Sequence, residues 1–204
     1  MASQRYKLIY VDTGALYRCV GLYVHRKKAS PKDIDAVVPL LSEISLDMKY
    51  DADGFQRVLL CGEDVTDLIR APEISMYASD VSALPPVRAF LLSLQRGMAE
   101  KYDVIMDGRD IGTVIMPKAG LKVFLTAAPE TRAQRRYLEL LEKNVETTYE
   151  EVLKDMVNRD RNDSERAAAP LTASEDAVIL DTTDMDLDMS FDALCRLIDI
   201  RLHR

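Results

Sequence analysis

Histidine and cysteine are scarce in this sequence. The only histidines are His25 and His203, which leaves no material for a His-rich metal site or for most histidine-based nucleophilic triads. Cys19, Cys61 and Cys195 are odd in number and far apart, which excludes a disulfide framework and a Cys-x-x-Cys zinc site. No apolar run approaches the roughly 18 residues of a membrane span, and Met1 to Lys7 has no apolar signal core. There is no internal repeat, no low-complexity linker and no Gly-x-Ser-x-Gly elbow. Gly108 and Gly112 do not make a dinucleotide fingerprint. Basic charge is in deficit: 27 Lys and Arg against 34 Asp and Glu give a net charge of −7, which argues against a nucleic-acid polymer or an anionic membrane as partner. The 204 residues, 48% apolar and 30% charged, fit one ordinary globular domain, expected in the cytoplasm.

Apolar, partly β-branched runs predict buried strands at residues 8–11, 104–106, 121–125 and 177–180. Each ends in a polar or charged turn: Asp12-Thr13-Gly14, Asp107-Gly108-Arg109-Asp110, Thr126, and Asp181-Thr182-Thr183. Helical periodicity predicts helices over 15–28 with Thr13 as cap, and over 31–44 with Pro31 in the first turn and Ile34, Val37, Val38, Leu41 and Ile44 on the apolar face. It predicts further helices near Glu73, over 86–101, 129–143 and 148–161, and over 191–203 capped by Ser190. Between 45 and 66 the pattern alternates: Leu46, Met48 and Tyr50, a turn at Asp51 to Gly54, a strand from Phe55 to Leu60, and a turn at Cys61 to Asp64. That is an antiparallel meander set into a helical stretch, read as a small insert. Strands alternating with helices imply an α/β fold with a mostly parallel sheet, whose ligands sit at the carboxyl ends of the strands.

Three groups of residues can carry chemistry. In Asp107-Gly108-Arg109-Asp110 a glycine admits close backbone approach, an arginine can grip a phosphate, and a carboxylate can accept from a base amine; a solvated turn with an internal ion pair is the plainer reading. Arg132, Arg135, Arg136, Arg159, Arg161 and Arg166 form a local positive supply suited to a polyanion such as a nucleotide triphosphate; the plainer reading is a salt-bridged helical surface. That segment runs into Ala167-Ala168-Ala169-Pro170, as the hinge of a mobile lid would. Thr13-Gly14, with Tyr17 and Arg18, offers free N–H groups and a cation one turn on; the plainer reading is a cap and a surface arginine.

Together these groups resemble bacterial-type cytidylate kinase, a nucleoside monophosphate kinase. The resemblance runs in order through Tyr10 to Arg18, Gly62 to Arg70, Val81 to Arg88, Asp107 to Val114, and Arg159 to Leu171. The meander also resembles that family's enlarged monophosphate-binding insert. The resemblance implies a P-loop kinase fold: a five-stranded parallel sheet with helices on both faces, a small antiparallel insert over 45–85, and a core of 1–44 and 86–204 that includes an arginine-rich helical lid at about 130–168. It implies transfer of the ATP γ-phosphoryl group to CMP or dCMP, with Mg²⁺ carried by ATP, no metal site of the protein's own, and a monomer. Residue by residue, it implies that Thr13, Arg18 and Arg109 hold the acceptor phosphate. Ser79, Arg88 and Asp110 would read the cytosine edge, and Arg159 and Asp163 would contact the acceptor phosphate and sugar. Arg132, Arg159 and Arg166 would be lid arginines on the transferred group, Arg132 and Arg166 also facing ATP.

One part of the family pattern is absent. Its Gly-x-x-x-x-Gly-Lys-[Ser/Thr] loop, which cradles the ATP phosphates, occurs nowhere, and no Gly-Lys pair exists among the eight glycines. The expectation is that one strand–loop–helix unit, on the order of 20–30 residues, is missing, and with it the central first strand of the sheet. A truncated reading of a complete kinase is the favoured explanation; a short protein that binds the nucleotide without transferring phosphate is the alternative.

Overall fold

The computed structural model describes residues 1–51 and 56–202. A short helix α1 (Ala2–Tyr6) leads into strand β1 (Ile9–Asp12). Helix α2 (Thr13–Arg26) follows without a loop because Asp12 ends the strand in extended geometry and caps the helix, accepting from the Ala15 N–H at 2.9 Å. The cap is therefore Asp12 and not Thr13, whose hydroxyl instead donates to the Asp107 carbonyl at 2.7 Å. Helix α3 is shorter than expected, Ile34–Leu41, because Asp33 caps it through the Asp35 and Ala36 amides and leaves Pro31 outside. Only one side of its apolar set is used: Val37, Leu41 and Ile44 are buried, whereas Ile34 and Val38 face solvent.

The meander forms as expected, with β2 (Leu46–Tyr50) antiparallel to β3 (Gln56–Leu60) and β3 to β4 (Glu63–Asp64). Of its expected turn and second strand, residues 52–55 lie outside the described residues. A 3-10 turn (Leu68–Arg70) leads to α4 (Pro72–Ser82) and α5 (Pro85–Lys101), both with proline in the first turn, where its missing N–H costs nothing. After β5 (Val104–Asp107) comes a π-helical turn (Ile111–Ile115) that sequence periodicity did not announce. Strand β6 (Val123–Thr126), the hairpin of α6 (Pro129–Glu142) and α7 (Tyr149–Glu165), strand β7 (Val178–Asp181) and α8 (Leu187–Leu202) complete the chain. Helix α7 opens with a capping box between Thr148 and Glu151 and runs on to Glu165, past its expected end at 161. Helix α8 starts before Ser190, whose hydroxyl bonds back to the Asp186 carbonyl; the Asp186 carboxylate accepts from Met189 N–H in its place. His203, the expected end of that helix, lies outside the described residues.

The fold is mixed α/β with parallel strands and helices, as expected. Strands β1 and β5 pair in parallel, bringing Asp12 opposite Asp107, and β6 and β7 pair in parallel, bringing Thr126 opposite Asp181. Among the described residues, no ladder bonds join the two pairs. All four carboxyl ends carry polar side chains.

The main core is built around α2. Leu16, Val20 and Val24 pack with Val58, Leu60, Val65 and Ile69 of the insert, Ile74 and Val81 of α4, and Val87 and Leu91 of α5. Each such side chain contributes about 1.5–3 kcal/mol on burial, so α2 is held from three sides. Gly21 lets α4 come close: a Cβ there would meet the Ala78 nitrogen at 2.9 Å. The insert is also tied to β1, since Tyr50 donates to the Tyr10 carbonyl at 2.7 Å and Asp12 N–H donates to Gln56 at 3.2 Å. The hairpin α6–α7 has its own small core of Ala133, Leu140 and Val152, with Tyr137 and Tyr149 edge to face. No described helix is long and apolar enough to cross a membrane.

Candidate active site

At the carboxyl ends of β1 and β5 the chain turns sharply, and the geometry requires glycine at position 108. A Cβ there would collide with the Thr13 hydroxyl oxygen and press on Ile111. Thr13, Gly108 and the Asp107 carbonyl thus form one packed floor. Asp12, buried beside it, has a second task besides capping. Its Oδ2 accepts from Arg18 at 2.7 Å and from Arg70 at 3.1 Å, so one carboxylate aims two guanidinium groups from α2 and the insert.

Those arginines line an open cavity of about 480 Å³ between the α2 end, the insert and the hairpin. Arg18, Arg70, Arg109, Arg132, Arg136 and Arg159 converge on it. Burial pushes the Arg18 pKa down, although Asp12 opposes the shift. Arg159 is pushed further, to about 10, by burial first and then by the positive charge of Arg109. Its Nε is buried without a hydrogen-bond partner. Cations crowded together, desolvated and partly unpartnered make a site whose electrostatics improve when an anion arrives.

The second half of the site is a buried polar cluster behind the cavity. Asp110, 4% exposed, makes a very short ion pair with Arg88, which also donates to the Ser82 carbonyl at 3.2 Å. The Arg88 guanidinium lies 5.5 Å over the Tyr17 ring. Ser79 is buried nearby in α4, and its hydroxyl has no partner. Asp163 of α7, 3% exposed, joins the halves: Arg109 Nε stands 3.0 Å from its Oδ2 and Arg166 Nη1 stands 3.5 Å from its Oδ1. Its Oδ2 nevertheless has no well-formed hydrogen bond, and neither does the buried Nη2 of Arg166. Arg166 also donates to the Ala169 carbonyl at 2.7 Å and to the Ser82 hydroxyl at 3.3 Å, bridging α7 to α4.

The residues singled out in the sequence therefore fall into two groups. Arg18, Arg109 and Arg159 line the cavity, Thr13 is buried in the floor at the strand ends, and Arg88, Asp110, Arg166 and, in α4, Ser79 belong to the buried cluster, with Asp163 between. Arg132 reaches the cavity but is held by a bidentate pair with Asp160, at 2.6 and 3.1 Å, and by a bond to the Ala127 carbonyl. Arg135 leaves the site and donates to the Thr182 and Met185 carbonyls, and Arg161 makes only an exposed contact with Asn158. Arg136, one of the expected arginine set, also lines the cavity, and Asp12 and Arg70 belong to the site although they were not singled out. Arg70 ends a matching segment and Asp12 ends a strand, so both had a usable signal. Among the described residues, no three His, Cys, Asp or Glu side chains converge as a metal site would need.

A polyarginine cavity at strand ends, with a buried cluster of carboxylate, guanidinium and hydroxyl groups, has the chemistry of a phosphate-binding α/β site. The comparison with known proteins narrows the class. Residues 1–199 match the family model for cytidylate kinase, and this chain belongs to that family. It is 48% identical over 180 residues to the cytidylate kinase of Caldicellulosiruptor bescii, covering 88% of this chain and 79% of that protein. It is 49% identical over 178 residues to that of Caldanaerobacter subterraneus, covering 86% and 76%. A third relative, the cytidylate kinase of Clostridium tetani, is 38% identical over 199 residues, covering 98% and 86%.

Proposed function

We propose that this chain binds CMP or dCMP across its two half-sites and that the site serves transfer of the ATP γ-phosphoryl group to it, giving CDP or dCDP. The observation that supports this best is the buried Arg88–Asp110 ion pair, with the partnerless Ser79 hydroxyl, in a chain that also carries the arginine cavity, because these donors and acceptors match a cytosine edge. The Asp110 carboxylate accepts from the exocyclic amine, while Arg88 donates to ring N3 and the adjacent carbonyl. The partnerless Ser79 hydroxyl gains a partner from the same base. Thr13, Arg18 and Arg109 then take the monophosphate, and Arg159 and Asp163 take the phosphate and sugar.

Phosphoryl transfer asks little covalent help of the protein; it asks for alignment and for positive charge around the moving group. Arg132, Arg159 and Arg166 supply that charge from the hairpin, and hairpin closure excludes water that would otherwise receive the phosphoryl group. Arg132 must exchange its bond with Asp160 for one to phosphate. Mg²⁺ belongs to this scheme as a companion of the ATP phosphates, whose charge it would neutralise. A second reading is CMP binding without transfer, since the 204 residues carry the acceptor-side residues but no Gly-x-x-x-x-Gly-Lys run.

Calorimetry with CMP and UMP, paired with an assay of CDP formation from ATP, separates these readings. Preferential CMP binding with CDP formation supports the kinase. Preferential binding without turnover supports the second reading. A folded chain that binds neither nucleotide overturns both.

A further inference from the structure

The cavity arginines differ in what holds them. Arg18 and Arg70 share Asp12, and Arg109 stands beside Asp163, both carboxylates being buried. Arg136 pairs with Glu139 on its own helix, and Glu139 does not line the cavity. Arg132 differs, because its partner Asp160 faces it across the hairpin and itself lines the cavity. Of the three carboxylates that line the cavity, Glu146, Asp155 and Asp160, only Asp160 forms an ion pair with one of its arginines among the described residues. The Arg132 Nε donates to the Ala127 carbonyl at 2.9 Å, just before α6, so the root of the guanidinium is fixed and its two-pronged end is what Asp160 occupies. The hairpin has other means of staying closed, since Ala133, Leu140 and Val152 pack between its helices. The pair is also partly wet, with side chains 30% and 24% exposed, and an ion pair in that setting holds weakly against a competing anion.

We propose that Asp160 is a specificity-determining residue that selects for polyphosphate chains: it occupies the end of the Arg132 fork until a ligand long and charged enough to reach that fork displaces it. This rests on the reading of the cavity as a phosphate site and adds a discrimination between one phosphate and several. A single phosphate held by Arg18 and Arg109 gains nothing at Arg132 and meets the Asp160 charge as a repulsion. Linked phosphates can keep one group at those arginines and bring another to the fork, in the same cavity of about 480 Å³. There a multiply charged phosphate offers the fork more charge than one carboxylate does, and the guanidinium geometry suits either partner. Discrimination of this kind comes from a repulsive element as much as from an attractive one, and Asp160 supplies the repulsive element. A carboxylate that merely oriented Arg132 toward the ligand would have the opposite effect on binding, since its loss would weaken the polyphosphate complex.

The test is calorimetry of the full chain and of Asp160→Asn with inorganic tripolyphosphate and with orthophosphate, in about 0.15 M salt, which screens charges more than roughly 8 Å apart. The expected result is tripolyphosphate bound about three- to tenfold more tightly by Asp160→Asn and orthophosphate by less than twofold. Adding Arg132→Met to Asp160→Asn should abolish that gain, because the gain is made at the fork. Weaker or unchanged tripolyphosphate binding in folded Asp160→Asn overturns the proposal. So does an equal gain for both anions, or a gain that survives Arg132→Met, since either would be the general effect of removing a negative charge. Should Asp160→Asn fail to fold, Arg132→Met alone should weaken tripolyphosphate more than orthophosphate, and an equal loss of both overturns the proposal. Failure of the underlying reading looks different: a folded parent chain that binds neither anion removes the phosphate site and this proposal with it, whereas a parent that binds both without the Asp160 effect removes only the proposal.

Discussion

Replacing Asp110 by asparagine changes one charge and almost no volume, at a residue 4% exposed whose partner Arg88 has a side chain only 11% exposed. Removing one member of a buried ion pair costs roughly 3–5 kcal/mol when the other is left uncompensated. Arg88 is not left bare, because the Ser82 carbonyl accepts from it and the Tyr17 ring lies beneath it. The asparagine carbonyl can also still accept one bond. About 1–3 kcal/mol of lost stability is the expected outcome, measured by denaturant unfolding. The effect on selection follows from the same atoms. Uracil presents a carbonyl where cytosine has its amine, so the carboxylate faces it with like polarity, whereas an asparagine amide can donate to it. One unmatched buried polar contact is worth roughly 1–3 kcal/mol, or about one to two decades in the CMP-over-UMP affinity ratio. Calorimetry with both nucleotides on parent and variant reads that ratio directly. An unaltered ratio in a folded Asp110→Asn protein would refute the assignment of this pocket to the base.

Other changes separate the half-sites. Arg109→Met removes a cavity cation and should weaken CMP and UMP alike, by about tenfold each, leaving their ratio within twofold in the same calorimetry. Gly108→Ala drives a methyl into the Thr13 hydroxyl and should cost about 1–3 kcal/mol in unfolding experiments, with monophosphate binding weakened as the floor shifts. The Arg159 pKa of about 10 gives a pH signature. A bound anion favours the charged form and raises that pKa, so phosphate binding is strongest below about pH 10 and is lost as pH rises through it. No lysine lines the cavity among the described residues, so affinity for inorganic phosphate should fall about tenfold between pH 9 and 11, and Arg159→Met should flatten that slope.

Much of the fold was legible because period and punctuation agreed. The four parallel strands are short apolar runs closed by charged turns, and α2, α5, α6 and the meander follow their hydrophobic patterns. Errors arose where two polar residues competed for one end. Asp12 and Thr13 can both cap α2, and Asp12 wins because Thr13 is drawn to the Asp107 carbonyl by a strand pairing that local sequence does not reveal. Asp33 similarly outcompetes the signal from Pro31, and Asp186 that from Ser190. The π-helical turn after Asp110 has no periodicity to read, since five residues do not establish a repeat. Within the site, arginine-rich composition marked the hairpin but could not say which arginines point inward. Arg135 sits one residue from Arg136 on α6, and about 100° of helical rotation sends it to the Thr182 carbonyl while Arg136 lines the cavity.

Asp163 shows why the half-sites work as a unit. It is a carboxylate on the hairpin, yet it is as buried as a core residue, and burial of that kind is tolerated only with partners. Those partners are Arg109, from the β5 end at the cavity, and Arg166, one turn on at the end of the same helix, which also reaches Ser82 on α4. Opening the hairpin would return Asp163 to water but strip Arg109 of its counter-charge. Closing it without a ligand leaves Asp163 Oδ2 and Arg166 Nη2 without well-formed bonds. On the proposed reading, a nucleotide removes both penalties, since its phosphate answers the cations while a sugar hydroxyl can donate to the carboxylate. The closed hairpin is then stabilised most by a ligand that carries phosphate and sugar at the right separation. Inorganic phosphate alone satisfies only the cavity side.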